Sequence, residues 1–503
     1  MVGWVVTSGG DAIAQPAVVE RALKAGFAER DITPSIGSEA PGGYGKSYHR
    51  SIHDPCKVRA AVFDNGEAKV ALVGLDALFV HAQTVRRVRR RIHQQTAIPE
   101  SSIMLGASHS HSSGPMSGVM PGEYDHASPL AQKLAYQHST CADRTYLEKV
   151  ETAIMEAVCE AHDRRTAALV GIGKGIEGAV AFNRRFKMRG GRTVTHPGQG
   201  NPDILEPAGP VDPEVGVVGA WNEKQRLIGC VVNFSCHATT NPGGISANYI
   251  YYLEKAIRGF FGNEVVVVFL AGASGDVTQV DNRSPYQYPS AQRWAELVGG
   301  RVGAEAVKVL VNLPTAAWHP LAARRSVLNV KRRTPSPQRV ARCRELVEAG
   351  LAKPGSVDAT EWTFAKEILL LEAKLKKEPA ADVEVQVIQL GPAVFVSNPA
   401  EYFCRFGLEI KAGSGFPFTF PVSLANGCVG YIPTADAFGE TGGGYETRLT
   451  SYSNLEISAG RQIADAGIAL ARQLKPGPVP VPPRPVPFAG KPWSYGNVAP
   501  ELE

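Results

Sequence analysis

The 503-residue chain has 44% hydrophobic and only 20% charged residues and a net charge of +5. It can therefore bury a large core, and a charge this small for its length selects no nucleic-acid partner. The eight cysteines, Cys56, Cys141, Cys159, Cys230, Cys236, Cys343, Cys404 and Cys428, form no CxxC pair, which sets aside zinc-finger and disulfide-framework readings. No stretch approaches the about 18 uninterrupted apolar residues of a membrane span, and the first residues lack the basic region of a secretory signal. A cytoplasmic protein is the expectation, or a secreted or periplasmic one if a leader has been trimmed.

In chain order, residues 1–25 read as an N-terminal arm with a weak helix signal over 17–24, either a mobile segment or one that forms a homo-oligomer. A strand from Gly26 follows, then a glycine-rich loop at Gly42-Gly-Tyr-Gly45 and a strand over 58–63. The nearly continuous apolar run 70–80 suits a strand buried on both faces; its one acid, Asp76, is either a hydrogen-bonded structural group or part of a site. In the helix expected over 83–95, Val85, Val88 and Ile92 share one face, so the run Arg86-Arg-Val-Arg-Arg-Arg91 reads as the solvated one.

The apolar signal Ile103-Met-Leu105 then breaks into Gly106-Ala-Ser-His-Ser-His111. Side chains two apart in an extended segment point the same way, so His109 and His111 can line one cavity, one as a metal ligand and the other as an acid/base. Strand, helix, strand is the order of a parallel α/β unit. A helix over 144–162, a strand over 167–173 and a long loop from Phe182-Asn-Arg-Arg185 to about Pro210 come next.

A buried strand, 227–235, ends at Cys236-His237, and after a helix over 248–260 another, 265–270, ends at Gly275-Asp-Val-Thr278. Histidines, acids and hydroxyls at the C-terminal ends of apolar strands lie where open α/β sheets hold ligands. A helix over 292–310 and a strand over 325–330 precede two charged helices over 336–376, an insertion outside the core. The hairpin 383–390 and 393–397 stops at Asn398-Pro-Ala-Glu401, which places Glu401 at one more strand end. Phe418 to Leu424 leads to Tyr431, a glycine-rich segment runs through Tyr445, and a helix over 455–474 closes the body at about residue 475; the tail 476–503 is proline-rich and extended. The fold class expected is α/β, with a mixed, largely parallel sheet flanked by helices.

With these motifs in hand, the chain resembles the catalytic domain of the neutral/alkaline, non-lysosomal ceramidases, zinc amidases that cleave an N-acyl bond, in motif order from about Gly26 to Leu474. The resemblance rests on Gly106-Ala-Ser-His-Ser-His111, Asn183-Arg184, Phe234-Ser-Cys-His237, Gly275-Asp-Val-Thr278, Pro399-Ala-Glu401, Gly430-Tyr431 and Tyr445-Glu446. It implies Zn2+ held by His109, His237, Glu401 and Tyr431, two imidazoles, a carboxylate and a phenol whose pKa the cation must lower. It further implies His111 as proton carrier, Arg184, Tyr445 and Thr278 as oxyanion donors, and Asp276 as a group that orients a neighbour.

The chain departs from that pattern in Thr278-Gln-Val, where the family has Ser-Pro-Asn, and in Gly430, where it has histidine. It also stops soon after the last helix, without the immunoglobulin-like domain of full-length ceramidases, and has no aromatic-rich surface helix for extracting a lipid. The expected partner is therefore a small N-acyl compound more soluble than ceramide, or an ester, with no stable membrane insertion. A serine hydrolase is disfavoured because Gly272-Ala-Ser-Gly275 lacks the Gly-x-Ser-x-Gly elbow. A non-catalytic metal-bound binding protein and a phosphoryl or sulfuryl hydrolase are the other readings.

Overall fold

A computed structural model describes residues 22–482, 485–491 and 498–503. Three mixed sheets make its core, and each contains one pair of parallel strands joined through a helix. In the first, β1 (Lys24–Asp31), β2 (Lys57–Asp64) and β3 (Lys69–Leu75) run antiparallel in turn, and α1 (Ala82–Thr96) carries the chain to β4 (Ile103–Ala107), parallel to β3. The β2–β3 reversal is set by Asn65-Gly66: Asn65 Oδ1 accepts from the amides of Glu67 and Ala68, and Gly66 takes a φ of 83° that favours glycine. Helices α2 (Pro129–His138) and α3 (Arg144–Asp163) follow, and α3 packs with α1 on the outer face of this sheet.

The second sheet is β5 (Leu169–Ile176), β6 (Glu214–Trp221) and β7 (Leu227–Phe234), antiparallel in turn, with α4 (Tyr249–Phe261) leading to β8 (Val266–Ala271), parallel to β7. After α5 (Ala291–Val311), the third sheet begins with β9 (Leu321–Lys331). The helix pair α6 (Pro337–Ala352) and α7 (Ala359–Leu375) packs with α2 around Leu134, Val347 and Leu369. Strands β10 (Ala380–Leu390) and β11 (Ala393–Ser397), then α8 (Cys404–Gly413) and β12 (Phe418–Val422), complete that sheet, with β12 parallel to β11, and α9 (Ala459–Arg472) covers it.

The inner faces of all three sheets share one core, in which Leu72 and Met104 meet Val231 and Leu270 and both meet Phe395 and Phe420. Two glycines permit this contact. A Cβ on Gly74 would stand 2.4 Å from the Phe269 carbonyl oxygen, and one on Gly216 would stand 2.3 Å from the Phe420 ring. Strand backbones can meet this closely only where no side chain intervenes.

The class is mixed α/β, as expected, but parallel pairing does not dominate: each sheet has a single parallel pair. The both-face burial that suggested parallel strands comes from helices on one side and neighbouring sheets on the other, a condition antiparallel strands meet equally. The long loop after Phe182 holds a small three-stranded sheet of Arg185–Met188, Thr193–Thr195 and Ile204–Pro207. Of the helix expected over 17–24, residues 17–21 lie outside the described residues, and Lys24 opens a strand. Of the described tail residues, 476–482, 485–491 and 498–503, none is helix or strand. Among the described residues no helix is long and apolar enough to cross a membrane.

The arginine run on α1 is not uniformly solvated. Arg89 is buried, with Nε on the Ile103 carbonyl and the guanidinium on Glu384 of β10, so it ties α1 to the third sheet. Asp76 is structural: its Oδ2 accepts from the Lys57 amide at 2.7 Å and from Arg59 at 2.8 Å. Arg59, itself buried, also reaches Glu254 of α4 at 2.7 Å and so bolts the first sheet to the helix of the second. Burial would raise the Glu254 carboxyl, but Arg59, Lys57 and Arg258 outweigh it and hold it down at about 2.

Arg59→Met leaves Asp76 buried without its cation and is expected to cost about 3–5 kcal/mol at pH 7. A carboxyl with a depressed folded pKa contributes stability above its unfolded value and loses it as pH falls through the folded one. The Glu254 contribution is thus complete above the ordinary carboxylate range and fades toward pH 2. Denaturant unfolding of both proteins at pH 7 and pH 3 checks this, with the gap between them expected to narrow in acid.

Candidate metal centre

The three helix-linked parallel pairs deliver the site. The chain leaving β4 carries His109, that leaving β7 carries His237, and that leaving β11 carries Glu401. Gly106 bridges to Ala425 beyond β12, and the Leu105 amide donates to Asn426 Oδ1, which binds the first sheet's strand end to the third's. The fourth candidate, Tyr431, is brought in by register: Glu401–Tyr402 and Tyr431–Ile432 pair in parallel with Glu401 opposite Tyr431.

His109 and His111 lie side by side, but not through the alternation of an extended segment. The strand ends at Ala107, and His109 takes a φ of 64°, a left-handed conformation costing about 1–3 kcal/mol outside glycine. That turn sets the two rings perpendicular with centroids 4.7 Å apart, and His111 Nε2 lies 3.2 Å from His109 Nε2.

Hydrogen bonding fixes how the imidazoles point. His109 Nδ1 lies 3.0 Å from the Leu78 carbonyl oxygen, and His237 Nδ1 lies 2.7 Å from that of Ser274. A carbonyl only accepts, so each Nδ1 carries a proton and each ring turns Nε2 inward, where the neutral tautomer presents a lone pair. Both lone pairs meet the same acceptor, Glu401 Oε2, at 3.1 and 3.0 Å. The three ligand atoms all lie within 4.8 Å of one another and all three residues are buried. One proton could join one of these contacts to the carboxylate but not both, whereas a single cation among them satisfies all three. Two imidazoles and a carboxylate are a donor set that suits zinc.

The charges agree with that reading. Burial, followed by the Arg184 guanidinium, pushes His237 down to about 4, and burial with the two neighbouring imidazoles holds His111 well below its ordinary value. Both rings are therefore neutral at pH 7. Burial alone would raise Glu401; what holds it well below the usual carboxylate range is positive charge on the His109 and His237 side, which a ring proton supplies and which a cation between the three groups would supply as well. Burial lifts the Tyr431 hydroxyl well above 10, so a phenolate there depends on a cation beside it. That hydroxyl lies 3.1 Å from the hydroxyl of Tyr445, which sits at the exposed rim.

Arg184 is buried against the same cluster. Its Nε donates to Glu446 at 3.0 Å, one terminal nitrogen donates to the Gly275 carbonyl at 2.7 Å, and the other stands 3.3 Å from His237 Nε2. The guanidinium carbon lies 5.5 Å from the centre of the Tyr431 ring and 5.2 Å from that of Tyr445. Asp276 is committed to scaffolding: Oδ1 accepts from the Cys404 amide at the start of α8, and Oδ2 accepts from Asn183. It is Asp276, and not Glu401, that serves the helix N-terminus. The Thr278 hydroxyl is turned away, donating to Gln279 Oε1 at 2.9 Å, because the following glutamine folds back over it to reach Thr239.

Two further residues complete the site without a motif of their own to mark them. Glu446 is fully buried and takes Arg184, Arg185 and Thr195 together, and its only sequence signal is its place beside Tyr445. Tyr452 donates to Glu401 Oε1 at 2.8 Å and comes from an ordinary Ser-Tyr-Ser loop.

Neither a family model nor a curated protein sequence matches the chain. Among solved structures it is similar to a ceramidase complexed with C2, at 16% identity and a TM-score of 0.64, over 92% of this chain and 77% of that one. It is also similar to the neutral ceramidase from Pseudomonas aeruginosa, at 17% identity and a TM-score of 0.63, over 92% and 76%. The chain thus has the fold of neutral ceramidases, in line with the motif order.

The donor set carries its own test. Wild-type protein is expected to hold about one equivalent of divalent metal per chain, and His237→Ala and Glu401→Ala are each expected to lose it. Elemental analysis of the three purified proteins checks this.

Proposed function

We propose that the chain is a zinc-dependent hydrolase that cleaves the amide bond of a small N-acyl compound, with His109, His237, Glu401 and Tyr431 as the residues that hold the ion. The observation that carries this reading is the pair of Nδ1-anchored imidazoles aimed at one oxygen of a buried carboxylate. The fold shared with neutral ceramidases supports it. An ion bound there supplies hydroxide at neutral pH and Lewis acidity toward a carbonyl oxygen.

The chain's own residues supply the rest. His111 is neutral, stands beside His109 and is not needed as a ligand, so its ring can take the proton of the attacking water and return it to the leaving nitrogen. The new carbon–oxygen bond forms first, leaving a tetrahedral carbon with an anionic oxygen; the carbon–nitrogen bond then breaks as His111 returns the proton to nitrogen, giving a carboxylate and an amine. Arg184 and Tyr445 donate toward the carbonyl oxygen as it becomes anionic; losing one such donor typically costs about 2.7–4 kcal/mol. Glu446 keeps the guanidinium in place for that role. Thr278 was expected to be a third donor, but its proton is spent on Gln279, so it is not assigned to the oxyanion.

The glycine-rich loop at Gly42-Gly-Tyr-Gly45 bounds the site on the His111 side. Gly42 lies directly over His111, where a Cβ would stand 2.3 Å from Nδ1. The single Thr140 hydroxyl proton is shared between the carbonyls of Gly43 and Gly45, and Lys366 of α7 donates to that of Tyr44, so the loop is tied down on both sides.

Metal-depleted protein is expected to be inactive on a panel of short-chain N-acyl amides and to recover with Zn2+, with long-chain ceramide turned over more slowly than the panel. His111→Ala should keep its metal and lose about 100- to 10,000-fold in turnover. Full activity without metal would contradict the mechanism, and strong activity on long-chain ceramide alone would overturn the preference for a compact substrate.

A further inference from the structure

We propose that Tyr452 is a positioning residue that makes Glu401 meet the cation through one oxygen only, an inference that rests on the metal reading above. The two oxygens of Glu401 are in different surroundings. Oε2 faces both imidazoles at 3.0 and 3.1 Å, while Oε1 accepts the Tyr452 hydroxyl at 2.8 Å. A carboxylate with both oxygens free can rotate and chelate an ion through the pair, filling a position that water needs. With Oε1 held by a donor, only Oε2 is presented.

The donor is itself directed. A phenol has one proton to give, and the Cys428 thiol donates to the Tyr452 oxygen at 3.3 Å, which leaves that proton for Glu401. Thiol, phenol and carboxylate thus form a chain of donors running one way.

The loop that carries Tyr452 is built against the candidate ligand strand. Gly430 has a φ of 77°, and a Cβ on it would stand 2.1 Å from the Tyr452 carbonyl oxygen, so no other residue leaves room for the loop at this distance. The Tyr431 amide donates to Ser453 Oγ at 3.0 Å, and the Ser453 amide donates to Thr450 Oγ1 at 2.8 Å. The Tyr452 ring is seated against Phe79, with centroids 5.8 Å apart. One segment therefore brings both Tyr431 and the holder of Glu401 to the site, and the bare backbone at Gly430 is what allows the second of them.

Tyr452→Phe removes the hydroxyl and keeps the ring. The test replaces the native ion with Co2+, whose visible bands weaken as its coordination number rises, in wild-type protein and the variant, alongside the melting temperature and steady-state kinetics on the short N-acyl amide that wild type turns over best. The expected result is an unchanged melting temperature, weakened cobalt bands, and kcat lower by about 10- to 100-fold with KM little changed. Bands and kcat equal to wild type would overturn the proposal, as would a lowered melting temperature with unchanged bands, the mark of a packing role alone. Should Y452F fail to fold, Cys428→Ala decides through the same bands: a shift supports the chain of donors and identity with wild type overturns it. Wild-type protein that takes up no cobalt would instead overturn the metal reading itself, an outcome distinct from the others.

Discussion

The site depends on an electrostatic demand that its own donors meet only in part. Two imidazoles are locked by carbonyls at Nδ1 so that their lone pairs converge on one carboxylate oxygen. Arg184, at 3.3 Å from His237 Nε2, offers a proton to this group of acceptors, and buried acceptors left short of donors are destabilising; the left-handed backbone at His109 adds a local cost. The body of the protein keeps this arrangement in place. Asp276 holds the start of α8, Glu446 holds Arg184, and Leu78 and Ser274 hold the rings, each through buried hydrogen bonds. A divalent ion there would turn that cost into binding energy, and under the proposed function the same charge would serve hydrolysis.

The fold explains why residues so far apart in sequence arrive together. A helix linking two parallel strands leaves both strand ends on the same side of a sheet. Here three such units, β3 to β4, β7 to β8 and β11 to β12, stack through one shared core so that their carboxyl ends open onto one space. Each sheet contributes one ligand candidate, so the site reports on the relative placement of all three. The close contacts at Gly74 and Gly216 and the buried bolts at Arg59 and Arg89 consequently bear on the placement of the candidate ligands without touching them.

Much of this was legible in the sequence because the relevant signals are local. An apolar run that ends abruptly at His109, His237 or Glu401 marks a strand end carrying a polar side chain, and all three meet in one cluster. Asp76 and the pairing direction were not legible in that way. A run such as Val70 to Leu75 is apolar whether it is covered by helices or by other sheets, so burial on both faces left parallel and antiparallel pairing undecided. Strand β6 has glycines inside it at Gly216 and Gly219, where the Phe420 ring and the Trp221 ring fill the space, and this breaks the periodic signal. Glu446 and Tyr452 act through contacts that exist only once the loops have folded, and nothing in their neighbouring residues distinguishes them from loop polar groups.

The central claim is that one cation belongs among His109, His237 and Glu401, and diffraction from crystals grown with Zn2+, measured on both sides of the zinc absorption edge, tests it most directly. The account predicts a single anomalous peak about 2.0–2.2 Å from His109 Nε2, His237 Nε2 and Glu401 Oε2, with Glu401 Oε1 still on Tyr452. No peak at that position, with the Glu401 carboxyl protonated and shared between the two rings, or a peak bound elsewhere in the chain, would contradict it.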